Sequence, residues 1–273
     1  MTEVTLNTEY PTKLKDDIER VALLRDDIAI MYETSKAFEH YWQNRRKNLI
    51  LKEMRGLIEI ENAKSFLDIG CAEGLFTRKA SSLGAKLVVG LDISKVKLRK
   101  ALQYAHGVKA EDYVLGSAEC LPFKDNAFSL TLLSRVLELV PNEEQCLHEV
   151  HRVSKGFLIQ SVPSVHPTPL RLRAIFKPKK VTFTYPDGIA QARFYNINEL
   201  TDKLNKYWKI NKTFGIAPIT HFINLLNKNL WRWVQKLDDA LENKLFFRFF
   251  GHDIFLLCSK LTDPSQFVSS GQD

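Results

Sequence analysis

Between residues 65 and 162 the chain alternates between short runs that are apolar almost throughout and amphipathic stretches of about ten residues. That alternation restricts the fold more than any other feature. Ser65-Phe66-Leu67-Asp68-Ile69 closes on Gly70, Phe76 to Leu83 has helical spacing, Lys86 to Leu91 is a second apolar run, and Val96 to Tyr104 is helical again. Tyr113 to Leu115, Phe128 to Leu133 and Gly156 to Val162 supply three more runs, with a helix over Glu143 to Val153 before the last. A strand that is apolar on both faces must be covered on both, so such runs belong in a parallel sheet between layers of helix. Strands alternating with helices predict βαβ units. The expected fold class is α/β: a doubly wound, mostly parallel, Rossmann-like sheet that binds ligands at the carboxyl ends of its strands.

The flanks differ. Residues 14–61 read mainly as helices, with Phe38, Tyr41, Trp42, Leu49, Leu51, Met54, Leu57 and Ile58 at near-helical spacing. After Val162 the pattern breaks at Pro163, Pro167, Pro169, Pro178 and Pro186. A helical and irregular lid is therefore expected over 165–250. It holds a helix at Ile197 to Leu204, a strand at Trp208 to Phe214 and a long helix over roughly 221–246. A last strand, Phe255 to Cys258, falls within 251–261, and 262–273 read as a frayed tail. At 273 residues, one domain with extensions is expected, its core spanning 64–164.

Composition excludes several classes. No apolar run approaches the roughly 18–20 residues of a membrane span. The opening MTEVTLNTEY has neither the basic start nor the apolar core of a signal peptide. Cys71, Cys120, Cys146 and Cys258 lie far apart, with no CxxC pair. That argues against a zinc site or a disulfide framework and for a reduced, cytoplasmic protein. No clustered metal-ligand set is visible. The net charge is +7, and residues 156–260 hold its excess, with 16 basic and 7 acidic side chains. Such a face attracts anionic small molecules, acidic lipid surfaces or nucleic acid, or simply aids solubility. In the 221–246 helix, Phe222, Leu225, Leu226, Leu230, Trp233, Val234, Leu237, Leu241 and Leu245 form one apolar stripe. Two readings stand: a helix packed on the domain, or one that covers a lipid-like acceptor and touches an anionic surface.

The chemistry concentrates in Phe66-Leu67-Asp68-Ile69-Gly70-Cys71-Ala72-Glu73-Gly74, a strand running through a small-residue turn into a helix. Glycines permit the tight turn and the close approach of a ligand, and the helix N-terminus offers unpaired N–H groups. Asp92 ends the second strand, where a carboxylate can accept both hydroxyls of a ribose. The dinucleotide fingerprint GxGxxG fails here, because Ala72 and Leu75 occupy its second and third glycine positions. A cofactor with adenosine but no pyrophosphate fits better.

From about Lys64 to Ser164 the chain resembles the class I methyltransferases that use S-adenosylmethionine, especially the group containing quinone-pathway and other small-molecule enzymes. Leu67 to Gly74 is similar to that group's LDxGCGxG, with Ala72 for the middle glycine. Leu91-Asp92-Ile93-Ser94 matches its acidic strand end, and Gly116 to Phe123 matches GDAExLPF with Ser117 for the aspartate. Phe128 to Val140 matches FDLVLSxxVLxHV, with Ser129 for its aspartate. His148 to Ser164 matches the closing helix and strand. The resemblance implies methyl transfer by in-line displacement and the cofactor S-adenosylmethionine. It also implies the site residues. Asp68 would orient the cofactor's ammonium group, and Gly70, Cys71, Ala72 and Gly74 would line its methionine moiety. Asp92 would hold the ribose and Ile93 would pack on the adenine. Ser117, Ala118 and Glu119 would meet the adenine edge. Ser134 and Arg135 would sit under the sulfonium. His166, Arg193 and Tyr195 are candidates to face the substrate, and Arg45 and Arg46 are candidates to reach the cofactor carboxylate. The acceptor expected is a small or lipid-like molecule. An RNA methyltransferase, with nucleic acid as partner, and a catalytically silent cofactor-binding subunit are the alternatives.

Overall fold

The computed structural model describes residues 37–105, 111–164, 180–185, 188–216, 233, 236–237 and 253–261. Helix α1 (Ala37–Arg55) passes into a π turn at Gly56–Ile60 and is followed by strand β1 (Ser65–Ile69), helix α2 (Leu75–Ser82), β2 (Leu87–Asp92), α3 (Lys95–Tyr104), β3 (Glu111–Leu115) and β4 (Phe128–Ser134). A 3₁₀ turn (Leu137–Leu139) leads into α4 (Glu143–Val153) and β5 (Ser154–Pro163). Strands β6 (Lys180–Tyr185) and β7 (Gly188–Arg193) form a separate hairpin, and α5 (Ile197–Asn205), β8 (Trp208–Ile216) and β9 (Asp253–Lys260) follow.

One seven-stranded sheet has the order β3-β2-β1-β4-β5-β9-β8. Strands β1 to β5 are mutually parallel, whereas β9 runs antiparallel to β5 and β8 antiparallel to β9. The α/β expectation holds. The order reverses between β1 and β4, and at such a switch point the helices leave the sheet in opposite directions and open a crevice at the strand ends.

The residue pattern explains the layers. All five side chains of β1 are buried, so each face needs a cover. On one face α4 presents Cys146, Leu147, Val150 and Val153, and α5 presents Leu200 and Leu204, to Leu67, Ile69, Leu133, Leu158 and Leu256. On the other face Ile50, Met54, Leu57, Ile58 and Ala80, from α1, its π turn and α2, cover Phe66, Leu130, Leu132, Ile159 and Phe255. Side-chain oxygens cap the helix starts: Ser94 accepts from Lys97 N in α3 and Asn142 from Gln145 N in α4, which satisfies otherwise orphaned donors.

Several expectations shift. The proline-broken stretch after β5 contains the β6–β7 hairpin, although it read as irregular. The first strand of the closing pair, β8, extends to Ile216, and β9 begins at Asp253. The 14–36 part of the N-terminal helices, the 165–179 part of the lid, the 262–273 tail and all of the 221–246 helix except Trp233, Lys236 and Leu237 lie outside the described residues. Among the described residues, no helix is long and apolar enough to cross a membrane.

Strand β5 packs tightly on β4 at one point. A Cβ on Gly156 would run into the Ser129 carbonyl oxygen, which is backbone and cannot swing away. Gly156→Ala should therefore cost about 1–3 kcal/mol, the usual penalty of forcing extra volume into a filled core. Thermal denaturation should show this as a Tm several degrees lower, and an unchanged Tm would contradict it.

Candidate functional site

The carboxyl ends of β1, β2, β3 and β4 meet around one small-residue turn. After β1 the chain takes positive φ at Gly70 (+73°), Ala72 (+49°) and Gly74 (+73°). Gly70 and Gly74 suit those angles. Ala72, where the resemblance has glycine, carries the steric cost of left-handed backbone, on the order of 1–2 kcal/mol. Space also requires glycine: a Cβ at 70 would collide with Val136 just beyond β4, and one at 74 with the Tyr113 hydroxyl on β3.

Hydrogen bonds fix the turn from below. The amides of Gly70 and Cys71 both donate to the Leu91 carbonyl, at 2.7 and 2.9 Å. Asp92, at the tip of β2, accepts from Ala72 N at 2.8 Å through one carboxylate oxygen and from Ser94 N at 2.8 Å through the other. Asp68 Oδ2 accepts from Thr77 N at 3.1 Å and from Thr77 Oγ1 at 2.8 Å, which ties β1 to α2. Both carboxylates are 2% exposed. Burial first, and then the nearby Asp92 charge, push the Asp68 carboxyl up to about 7, against the opposing hydrogen bonds from Thr77.

The remaining sequence candidates fall as follows. Cys71 is buried with its thiol pushed up by burial and by the two aspartates, which disfavours the thiolate that a nucleophile requires. Ile93 is half-buried beside Asp92. Ser117 and Ala118 are buried after β3, and Ser117 Oγ accepts from Glu119 N at 3.2 Å. Glu119 Oε1 accepts from Asn142 N at 2.6 Å, so this carboxylate braces the entry to α4. Arg152 secures the loop that follows, donating to the carbonyls of Leu121 and Phe123 and to Glu149 and Asp125. Ser134 Oγ lies 2.8 Å from Ser161 Oγ at the end of β4. Ser129 stands at the opposite end of β4, hydrogen-bonded to Ser65, away from the turn. Its departure from the motif therefore leaves the crevice untouched.

Of the residues expected to face a substrate, Tyr195 is buried and its hydroxyl donates to the Leu137 carbonyl at 3.2 Å. It supports the 3₁₀ turn from the core. Arg193, at the end of the hairpin, pairs with Glu143, as does Lys203 from α5 at 2.6 Å. His166 lies outside the described residues. Arg46 is not spread on a solvated helix face: its guanidinium pairs with Asp253 at 3.0 Å. Arg135, at φ +61°, reaches both Asp253 at 3.3 Å and Glu138 at 3.1 Å. Sequence reasoning missed this cluster, because it joins α1, the end of β4 and the start of β9 across gaps of 89 to 207 positions, and no local pattern registers such gaps.

The Asp68 shift has a measurable consequence. A carboxyl whose folded value is raised keeps its proton in the folded state while the unfolded chain loses it. Wild-type stability therefore falls between about pH 4 and pH 7 and carries the full loss above that. Asp68→Asn keeps an acceptor for Thr77 and removes the titration. Its stability advantage over wild type, read from thermal denaturation, should grow between pH 5 and pH 8, to on the order of one to a few kcal/mol at the upper end. An advantage independent of pH would contradict the assignment.

Three comparisons fit this geometry. Residues 67–159 match a family model described as a methyltransferase domain. The chain is 29% identical over 152 residues to sterol methyltransferase-like 3 of Botryococcus braunii (52% of this chain, 39% of that protein). It is 28% identical over 163 residues to demethylmenaquinone methyltransferase of Geobacillus stearothermophilus (58% of this chain, 68% of that protein). The chain thus spans well under half of the first relative and about two thirds of the second. Among solved structures, the Burkholderia thailandensis 1,6-didemethyltoxoflavin-N1-methyltransferase with bound 1,6-didemethyltoxoflavin and S-adenosylhomocysteine superimposes with a TM-score of 0.56. It is 13% identical and covers 94% of this chain and 93% of that one, a likeness of fold.

Proposed function

We propose that this chain, which carries a class I S-adenosylmethionine-dependent methyltransferase domain, transfers a methyl group to a small, largely apolar acceptor of the quinol or sterol kind. The observation that carries the reading is the turn at Gly70 to Gly74, clamped to Asp92 at the carboxyl ends of adjacent parallel strands.

The residues present fit the cofactor. A carboxylate has about four acceptor positions, and Asp92 spends two on Ala72 N and Ser94 N. The remaining two suit the paired hydroxyls of a ribose. Asp68 and Asp92 repel each other in a buried place, and an ammonium group there would favour the ionised form of Asp68. The glycines give room to Val136 and Tyr113, which lets the turn sit close against the strand ends. Ile93 and Ala118 offer apolar contact for an adenine, and Ser117 a neutral hydrogen bond to its edge. When bound, S-adenosylmethionine supplies a methyl group already activated on a sulfonium. This chain's own residues then mainly align the reactants, and alignment alone contributes roughly 7–11 kcal/mol in favourable cases.

The four cysteines are free thiols, which supports a reduced compartment and so a cytoplasmic protein. The β6–β7 hairpin, fastened through Arg193 to Glu143, supports reading the segment after β5 as a lid that belongs to the same single domain.

Incubation with S-adenosylmethionine labelled in its methyl group, together with quinol and sterol acceptors, tests the reading. Label should pass into the organic extract, and Asp92→Ala should reduce the transfer at subsaturating cofactor at least tenfold. Label in added RNA and none in any small acceptor would overturn the acceptor class.

A further inference from the structure

The segment that follows β4 holds buried charge. Glu138 is 2% exposed and Asp253 is fully buried. Arg135 bridges them, and Arg46 takes the second oxygen of Asp253. Both carboxylate oxygens of Asp253 are thereby matched. Glu138 is matched on one side only: Oε1 pairs with Arg135, while Oε2 is buried and has no hydrogen-bond partner. Leaving a buried acceptor of this kind unsatisfied costs about 1–3 kcal/mol, and more for a charged group. A nonpolar residue of similar size would avoid that cost. The neighbouring strand repeats the pattern. Gln160, in the C-terminal half of β5 and in register with Leu133, is fully buried with neither amide atom partnered.

The location gives the orphaned oxygen a purpose. Val136, two residues before Glu138, packs against Gly70, so the start of this segment lies against the turn assigned to the cofactor. Tyr195 anchors the same segment at Leu137. We propose that Glu138 Oε2 is the atom that receives the acceptor, by taking a hydrogen bond from a hydroxyl group on a neutral molecule. Among the described residues the cluster sets two cations against two anions in its ion pairs, which suits a neutral acceptor better than an ionic one. What it offers is one unfilled acceptor position. Burial holds the Glu138 carboxyl above its ordinary value, against the pull of Arg135 and of a hydrogen bond from its own backbone N–H, the direction that makes a carboxylate a better base. The acceptor's O–H bond then breaks, its electron pair stays on oxygen, and the proton ends on Glu138 Oε2. The products are a neutral carboxyl group and a more nucleophilic oxygen. This deepens the methyltransferase reading and rests on it.

Calorimetry under anaerobic conditions, with the full chain saturated in S-adenosylhomocysteine, tests the assignment with 1,4-dihydroxy-2-methylnaphthalene and its dimethyl ether. The ether has the same ring but no donor. Wild type should bind the diol at least tenfold tighter than the ether. Glu138→Gln, which keeps the contact to Arg135, should lose that preference while binding S-adenosylhomocysteine and the ether as wild type does. No preference for the diol in wild type, or an undiminished preference in Glu138→Gln, would overturn the proposal. Failure of the wild-type chain to bind S-adenosylhomocysteine would instead overturn the cofactor reading beneath it.

Discussion

The carboxylate of Asp92 is the joint on which the cofactor end of this molecule depends. One side chain holds the turn after β1 through Ala72 N and the start of α3 through Ser94 N. The turn can be held there because three of its residues adopt left-handed backbone, two of them as glycines that also give room to Val136 and Tyr113. The arrangement concentrates negative charge. Asp68 sits one strand away, buried, with a raised carboxyl and Asp92 among the causes. A buried pair of carboxylates is costly alone and well suited to a ligand that brings hydroxyl donors and a positive charge. The concentration of negative charge at the turn is thus complementary to the hydroxyl and ammonium groups of the cofactor proposed above.

The acceptor side follows the same logic with different parts. The sheet ends its parallel run at β5, and β9 returns antiparallel beside it, so that Asp253 faces the end of β4. Arg135 and Arg46 converge on Asp253, and Arg135 also holds Glu138, two residues beyond the Val136 that packs on Gly70. Tyr195 steadies this segment at Leu137, and Arg193 and Lys203 hold the start of α4 through Glu143. Preorganisation of this kind places a reactive group without requiring motion at the moment of reaction.

Much of the parallel core was legible in the sequence because burial on both faces leaves unmixed apolar strands, and β1, β2 and β4 carry that signature. Strand β3 was legible only from Tyr113 onward, since Glu111 and Asp112 belong to a sheet edge open to water. The β6–β7 hairpin was hidden by the prolines around it. In the site, the glycine turn and Asp92 could be read because the groups that cooperate are close in sequence or fall on successive strand ends. The residue types alone said nothing of the cluster of Arg46, Arg135, Glu138 and Asp253. An arginine on a helix and an acidic residue at a strand start are usually solvated, and only the fold brings them together.

The measurement that bears most directly on the central claim is calorimetric titration of the full chain with S-adenosylhomocysteine, with NAD as the rival ligand and Asp92→Ala as the paired variant. Micromolar binding of S-adenosylhomocysteine, none of NAD, and at least tenfold weaker binding in the variant are the predicted results. Binding of NAD, or binding of S-adenosylhomocysteine that Asp92→Ala leaves unchanged, would contradict the account of the turn.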